Sequence, residues 1–328
     1  MPVAVGYGRR VPLPDLLDDA VLRAVLASLD MRCTGDPEPI GDEFGFASSR
    51  ARVTVVDSEG VERRVVVKAW SVENHGTAEI DFYHRWASLL PVRLAASFGA
   101  YADATTGVLV LEDLGKVRQG DAAETMDVAD AVAIARDLGA IHKATVDCES
   151  DLPVAGQTRP HEWHESRRAA HLERHGRPPH PALGAIVDHS YRAEAIGADL
   201  LVGSAAGLIH GDIHPDNVVF LGETPVLLDW SRPQWGPAAH DLASLLLACP
   251  QGGYARVVDA FRSIAPITDA EVHGAMLRRL VTATVGTAMW MPETDRQQRL
   301  VEIGQDQAEV AAAWLAEEAP DLLEGLER

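Results

Sequence analysis

LIHGDIHPDNVVFLGETPVLLD, residues Leu208–Asp229, sets two apolar runs on either side of a turn. Val218–Leu221 and Val226–Leu228 flank Gly222-Glu223-Thr224-Pro225, which predicts a β-hairpin. A polar cluster of His210, Asp212, His214, Asp216 and Asn217 lies just before the hairpin, and Asp229 just after it. Folding such a hairpin returns Asp229 towards Asn217. A carboxylate and an amide then meet at one end, a donor pair of hard oxygens suited to a divalent cation.

Phosphoryl transfer calls for that arrangement. One carboxylate accepts or orients the proton of the attacking hydroxyl, and an Asn and a second Asp hold Mg²⁺ against nucleotide phosphates. Asp212, Asn217 and Asp229 take those roles in chain order. At His210–Asn217 (HGDIHPDN), Leu228-Asp229-Trp230 and Gly236–Ala243 (GPAAHDLA), the chain resembles the aminoglycoside phosphotransferase and choline-kinase-like superfamily, relatives of protein kinases. The Val110–Gly115 segment (VLEDLG) has the wording of its ecdysteroid-kinase-like branch. Similarity extends from about Gly41 to Leu247. Gly211 and His214 stand where protein kinases carry Arg and Lys. Small-molecule kinases depart in the same way, which speaks against a protein substrate.

The resemblance implies an α+β, protein-kinase-like fold of two lobes. Residues 1–113 would form a small, mostly β nucleotide-binding lobe with a leading helix at 14–30. Residues 114–328 would form a larger, mostly α catalytic and substrate-binding lobe. The local patterns agree. Strand signals at Arg50–Asp57, Val61–Trp70, Arg93–Tyr101 and Gly107–Leu111 surround a helical stretch at Thr77–Leu90. Helical periodicity then dominates at Met126–Thr145, Leu183–Gly203, Asp269–Trp290 and Thr294–Glu318. A strand-rich first third before a helix-rich remainder argues against an alternating β-α-β protein.

Further site residues follow from the same likeness. Lys68 ends the run Val65-Val66-Val67 in a chain with only two other lysines, Lys116 and Lys143. It matches the strand lysine that touches the α- and β-phosphates of ATP. Glu79 is its expected partner, with Asp81 as the alternative. The Gly41–Arg50 loop occupies the place of a phosphate-covering loop, where Ser48 or Ser49 could meet phosphate oxygens. Glu112, Asp113 and Leu114 would form the hinge whose backbone reads a purine edge. His210 would fix the loop backbone, and Asp241 would brace it or simply start a helix. His214 would reach a phosphate or pack the loop. ATP and Mg²⁺ are the implied cofactors, and the partner is a small hydroxyl-bearing acceptor such as an antibiotic, amino alcohol or sugar.

Composition excludes several other classes. Of 328 residues, 29 are Lys or Arg and 49 are Asp or Glu, a formal charge of −20. Such a surface repels nucleic-acid phosphate and is compatible with a cationic acceptor. Three scattered cysteines form no CxxC pair, so neither a disulfide framework nor a thiolate zinc site is expected. No signal-peptide pattern opens the sequence and no apolar run is long enough to span a bilayer, which suggests a cytoplasmic protein without membrane or nucleic-acid partners. The His-rich stretch 161–180 carries His171 and His175 four apart, a spacing that chelates metals on a helix. No Cys or carboxylate completes the set and four arginines surround it, so a helical insertion shaping the acceptor pocket is expected, with Trp163, Trp235 and Trp290 as lining candidates. Two other functional classes remain at this level: a nucleotide-binding regulator without turnover, and a His-rich metal-binding protein.

Overall fold

In the computed structural model, residues 19–40, 48–292 and 294–328 are described. The chain divides into two compact units, one running to Ser88 and including Leu94–Lys116, the other comprising Leu89–Arg93 and Val117–Arg328.

The N-terminal unit contains α1 (Asp19–Ser28), β1 (Arg32–Cys33), β2 (Glu38–Pro39), β3 (Ser48–Val56), β4 (Glu62–Ser71), α2 (Val72–His75), α3 (Ala78–Arg85), β5 (Ser97–Ala102) and β6 (Thr106–Glu112). Its antiparallel sheet has the order β1-β3-β4-β6-β5, with β2 added on β3. Period-2 alternation puts Val53 and Val55, Val65 and Val67, and Val108 and Val110 into one core, closed by Leu22, Val25 and Leu26 of α1. Each such side chain contributes about 1.5–3 kcal/mol when fully buried. The β3–β4 turn is fixed by Asp57, whose Oδ1 accepts the N–H groups of Glu59 and Val61, while Gly60 supplies a φ of 79°. The predicted leading helix is described only from Asp19. The predicted strand at 93–101 starts later, at Ser97, because the chain after Pro91 bends before it pairs with β6.

The C-terminal unit follows with β7 (Arg118–Gln119), α4 (Val128–Thr145), α5 (His161–His175), α6 (Pro181–Asp188), α7 (Ser190–Asp199), β8 (Ala206–Ile209), β9 (Val218–Leu221), β10 (Thr224–Leu227), β11 (Gln234–Pro237), α8 (Ala239–Ala248), α9 (Tyr254–Arg262), α10 (Asp269–Ala283), α11 (Asp295–Glu318) and α12 (Pro320–Glu327). The apolar face of α4, with Ile134, Leu138 and Ile141, is buried against α9, α8 and β8. Asp127 caps α4 by accepting the Ala129 N–H, and Thr268 and Glu271 form a capping box on α10. The predicted hairpin is present as β9–β10, with Val219 opposite Val226 and β7 as a third strand.

Two predicted helices are shorter than their periodicity. The 183–203 segment is two helices, because His189 leaves the helical region (φ −116°, ψ 35°) between α6 and α7. The 269–290 segment stops at Ala283. Thr284 turns its hydroxyl back to the Leu280 carbonyl at 2.7 Å and takes a non-helical backbone, leaving a short 3₁₀ turn at Val285–Thr287. No helix among the described residues is long and apolar enough to cross a membrane.

Candidate active site

The polar loop between β8 and β9 is held mainly by bonds from buried side chains to backbone. Asp241, in the first turn of α8 and 3% exposed, accepts the His210 N–H at 2.6 Å and the Gly211 N–H at 2.9 Å. Burial raises its pKa above the usual carboxylate value, against the pull of His210 and these two amide donors. Buried His210 spans the loop. One ring nitrogen, Nε2, donates to the Leu228 carbonyl at 2.8 Å, and Nδ1 accepts the Asp212 N–H at 3.3 Å. That pairing places the ring proton on Nε2. Gly211 has a φ of 79°, and a Cβ there would stand 2.3 Å from the Arg232 carbonyl oxygen, so neither its backbone angle nor its surroundings admit a side chain.

Asp212 emerges from this frame with its carboxylate side chain 39% exposed. His214 Nε2 lies 4.0 Å from Asp212 Oδ2, outside hydrogen-bond distance. Burial holds the His214 pKa below its ordinary value, while Asp212 and Asp216 act in the opposite direction. A 3₁₀ turn at Pro215–Asn217 then brings in buried Asn217. Its Nδ2 donates to the Asp212 carbonyl at 3.0 Å, which leaves its Oδ1 as the side-chain oxygen available to a cation. The Asn217 carbonyl accepts the Leu228 N–H at 2.8 Å, extending the hairpin by one pair and placing Asp229 next to Asn217 in the chain's return. Asp229 has a φ of 59°, a left-handed conformation uncommon outside glycine.

The donor set fits a hard cation such as Mg²⁺, which takes one or two protein oxygens and fills its octahedron with water and phosphate. Among the described residues, no group of three or more His, Cys, Asp or Glu is placed to hold a metal ion. His171 and His175 do lie side by side, with ring centroids 5.2 Å apart, but no third ligand joins them. Burial pushes the His171 pKa down to about 4.

In the N-terminal unit, Lys68 Nζ meets Glu79 Oε2 at 2.5 Å, and both side chains are buried. Asp81 instead accepts the Thr77 hydroxyl at 2.9 Å. Lys68 lies opposite Leu109 of β6 and Arg50 of β3. The expected phosphate loop falls largely on residues 41–47, outside the described residues. Ser48 and Ser49 belong to β3, opposite Trp70 and Ala69, and are therefore strand rather than loop. Glu112 ends β6. Its N–H donates to the Ala96 carbonyl at 2.8 Å and its carboxylate accepts the Ala96 N–H at 3.1 Å. Asp113 is clamped by Arg52 Nε at 2.8 Å and Arg64 Nε at 3.3 Å. The Leu114 N–H has no hydrogen-bond partner among the described residues.

Two residues singled out in the sequence take partners that their spacing does not reveal. Asp216 turns away from the cluster: it accepts the Ala122 N–H at 2.7 Å and contacts Arg296 of α11 at 3.1 and 3.2 Å, tying the loop to a distant helix. Trp163 stacks with Arg159 and Arg167, 4.4 and 4.8 Å from its ring centroid.

Solved structures with the same fold include amicoumacin kinase hAmiN in complex with AMP-PNP, Ca²⁺ and Ami, at 13% identity over 89% of this chain and 93% of that one, with a TM-score of 0.59. Macrolide 2'-phosphotransferase MphH from Brachybacterium faecium aligns at 17% identity over 89% and 96% of the two chains, with a TM-score of 0.54. Choline kinase LicA from Streptococcus pneumoniae aligns at 15% identity over 88% and 98%, also at 0.54. At such identities the likeness establishes the α+β, protein-kinase-like fold alone. No curated protein matches the chain in sequence. Residues 45–271, well over half of the chain, match the phosphotransferase enzyme family (APH) and include the HGDIHPDN loop, and the chain therefore belongs to that family.

Proposed function

We propose that this phosphotransferase is an ATP-dependent small-molecule kinase that moves the γ-phosphate to a hydroxyl of a small acceptor: an antibiotic, an amino alcohol or a sugar. Asp212 takes or orients the hydroxyl proton. An oxygen–phosphorus bond forms to the acceptor as the bond from the γ-phosphorus to the ADP oxygen breaks, and ADP leaves. Asn217 and Asp229 would hold Mg²⁺, which supplies charge neutralisation at the phosphate oxygens when bound. Lys68, aimed by Glu79, serves the α- and β-phosphates. The Glu112 carbonyl and the unpartnered Leu114 N–H suit a purine edge. Ser48, Ser49 and His214 are further candidates for phosphate contact. The amicoumacin kinase structure, which holds AMP-PNP and Ca²⁺, supports nucleotide and divalent-metal use.

One observation carries the reading. Asp212, Asn217 and Asp229 share one frame, in which Asn217 bonds to the Asp212 carbonyl and to the backbone leading into Asp229. Coupled ADP-release assays over aminoglycosides, macrolides, amino alcohols and sugars test it. Asp212→Ala is expected to lower transfer on the order of 10³-fold while MgATP still binds. Asp229→Ala is expected to weaken Mg²⁺-dependent nucleotide binding. Normal behaviour of both variants would refute the assignment.

A further inference from the structure

A cavity of about 180 Å³ adjoins the catalytic loop and lies wholly within the C-terminal unit. Gly211 and Asp241 form one wall, and Arg159, Glu194, Arg278 and Arg279 are among the residues that form the rest. Arg278 and Arg279 are successive residues of α10, so they leave the helix about 100° apart. Their surroundings differ accordingly. Arg278 is 6% exposed and well partnered: Nη2 donates to the Gly156 carbonyl at 2.6 Å and to Glu194 Oε1 at 3.3 Å, and Nη1 donates to the Glu194 carbonyl at 3.3 Å. Arg159 donates to the Thr282 hydroxyl at 3.0 Å and lies 3.7 Å from the same Glu194 oxygen. The other Glu194 oxygen pairs with His164 Nε2 at 2.7 Å and accepts the Arg159 N–H at 3.2 Å. One carboxylate therefore serves two guanidinium groups.

Arg279 makes no hydrogen bond or ion pair to any described residue. Its Nε is buried without a partner, and so is Nη1 of Arg159. Asp212 and Asp241 are the opposite charges that act on Arg279, and neither reaches it. Three guanidinium groups line this cavity against two carboxylates, Glu194 and Asp241. His240, also in the lining, adds no charge near neutrality because burial pushes its pKa down to about 4. Within the lining one positive charge is in excess; the Asp212 carboxylate acts on Arg279 from outside the lining without a hydrogen bond or ion pair to it, so the Arg279 Nε stays unmet. A guanidinium fork with free N–H groups matches a carboxylate or phosphate bidentately.

We propose that this cavity is the acceptor subsite, and that Arg279, assisted by Arg159, binds an anionic group of the acceptor, a carboxylate or a phosphate, while Asp212 engages its hydroxyl. The inference rests on the kinase reading of Asp212. It gives the acceptor a charge opposite to the one that the acidic composition suggests, since bulk charge does not set the sign of one cavity.

The test uses the whole 328-residue chain with MgATP and a matched set of short alcohols carrying a carboxylate, a phosphate, an ammonium or no charge. ADP release should show a kcat/KM at least tenfold higher for the carboxylate or the phosphate member than for the ammonium and neutral members, and the leading arm identifies the anion. Arg279→Gln should remove that advantage mainly through KM, and Arg279→Lys should retain part of it. Inorganic sulfate should compete with the acceptor and not with MgATP. Without nucleotide, sulfate should raise the Tm of the wild type and not that of Arg279→Gln, a readout independent of turnover. Preference for the ammonium or neutral alcohol, sulfate competing only with MgATP, or equal sulfate stabilisation of both proteins would overturn the subsite. Failure to bind MgATP while sulfate still discriminates the variants would sink the kinase reading and leave the anion site standing.

Discussion

Two stretches of this chain are dense in titratable side chains, and they use them in opposite ways. In the loop from His210 to Asp229, the buried polar groups bond mainly to backbone: Asp241 to two amides, His210 to a carbonyl and an amide, Asn217 to a carbonyl. The main chain is thereby fixed, and the Asp212 carboxylate stays partly exposed. In α5 two of the four histidines, His164 and His171, are buried, and His164 bonds to other side chains. It is fully buried between Ser190 Oγ at 3.2 Å and Glu194 Oε2 at 2.7 Å. The contrast separates a scaffold that presents a functional atom from a cluster that satisfies itself. Residue type alone does not distinguish them.

The largest effect expected from breaking this contrast is at Asp241. Asp241→Ala leaves two buried amides unpaired and is expected to cost about 3 kcal/mol. Urea unfolding gives the magnitude, and hydrogen exchange gives the place: amides 210–212 should lose protection before those of α8. A uniform loss, with the loop no more exposed than its surroundings, would show that Asp241 is an ordinary core residue. His164→Ala comes next, at about 2 kcal/mol, from a lost donor to Glu194 and a new cavity. Here the loss should appear in global stability, with loop exchange relative to the core unchanged. A loop-specific response would erase the distinction between the two regions.

How much of this was legible in sequence follows from the range of the contacts. Asp212, Asn217 and Asp229 fall within eighteen positions, and a hairpin turn read from Gly222-Glu223-Thr224-Pro225 is enough to bring them back together. Lys68 and its expected partner Glu79 were legible, though sequence left Asp81 as an alternative. Glu79 and Asp81 both fit the helix until the Thr77 hydroxyl takes up Asp81. The helix ends at His189 and Thr284 were hidden because apolar periodicity runs on past them, and one backbone conformation or one back-bonded hydroxyl stops each helix. The Arg279 cavity had no signal at all. Its walls come from residues 155–159, 194, 209–211, 234–244 and 275–282, and Arg278-Arg279 in sequence resembles any exposed basic pair on an amphipathic helix.

The smallest of the expected effects sharpens the contrast through pH. His171 is 3% exposed, and burial holds its pKa at about 4, against about 6.5 in an unfolded chain. The unfolded state thus binds the proton more readily than the folded state between those values. Stability is fully present above pH 6.5 and falls as the pH drops towards 4, by about 1 kcal/mol at pH 5.5 for this one residue. Asp137 works the other way over part of the range, since burial raises its pKa to about 6 and its neutral form favours the folded state as the pH falls. The comparison of wild type with His171→Gln cancels that background. The variant keeps a side-chain donor, loses the titration, and should show a flatter decline in unfolding free energy from pH 7 to pH 5. Equal slopes would mean that His171 is protonated in place, with α5 open enough to admit the charge.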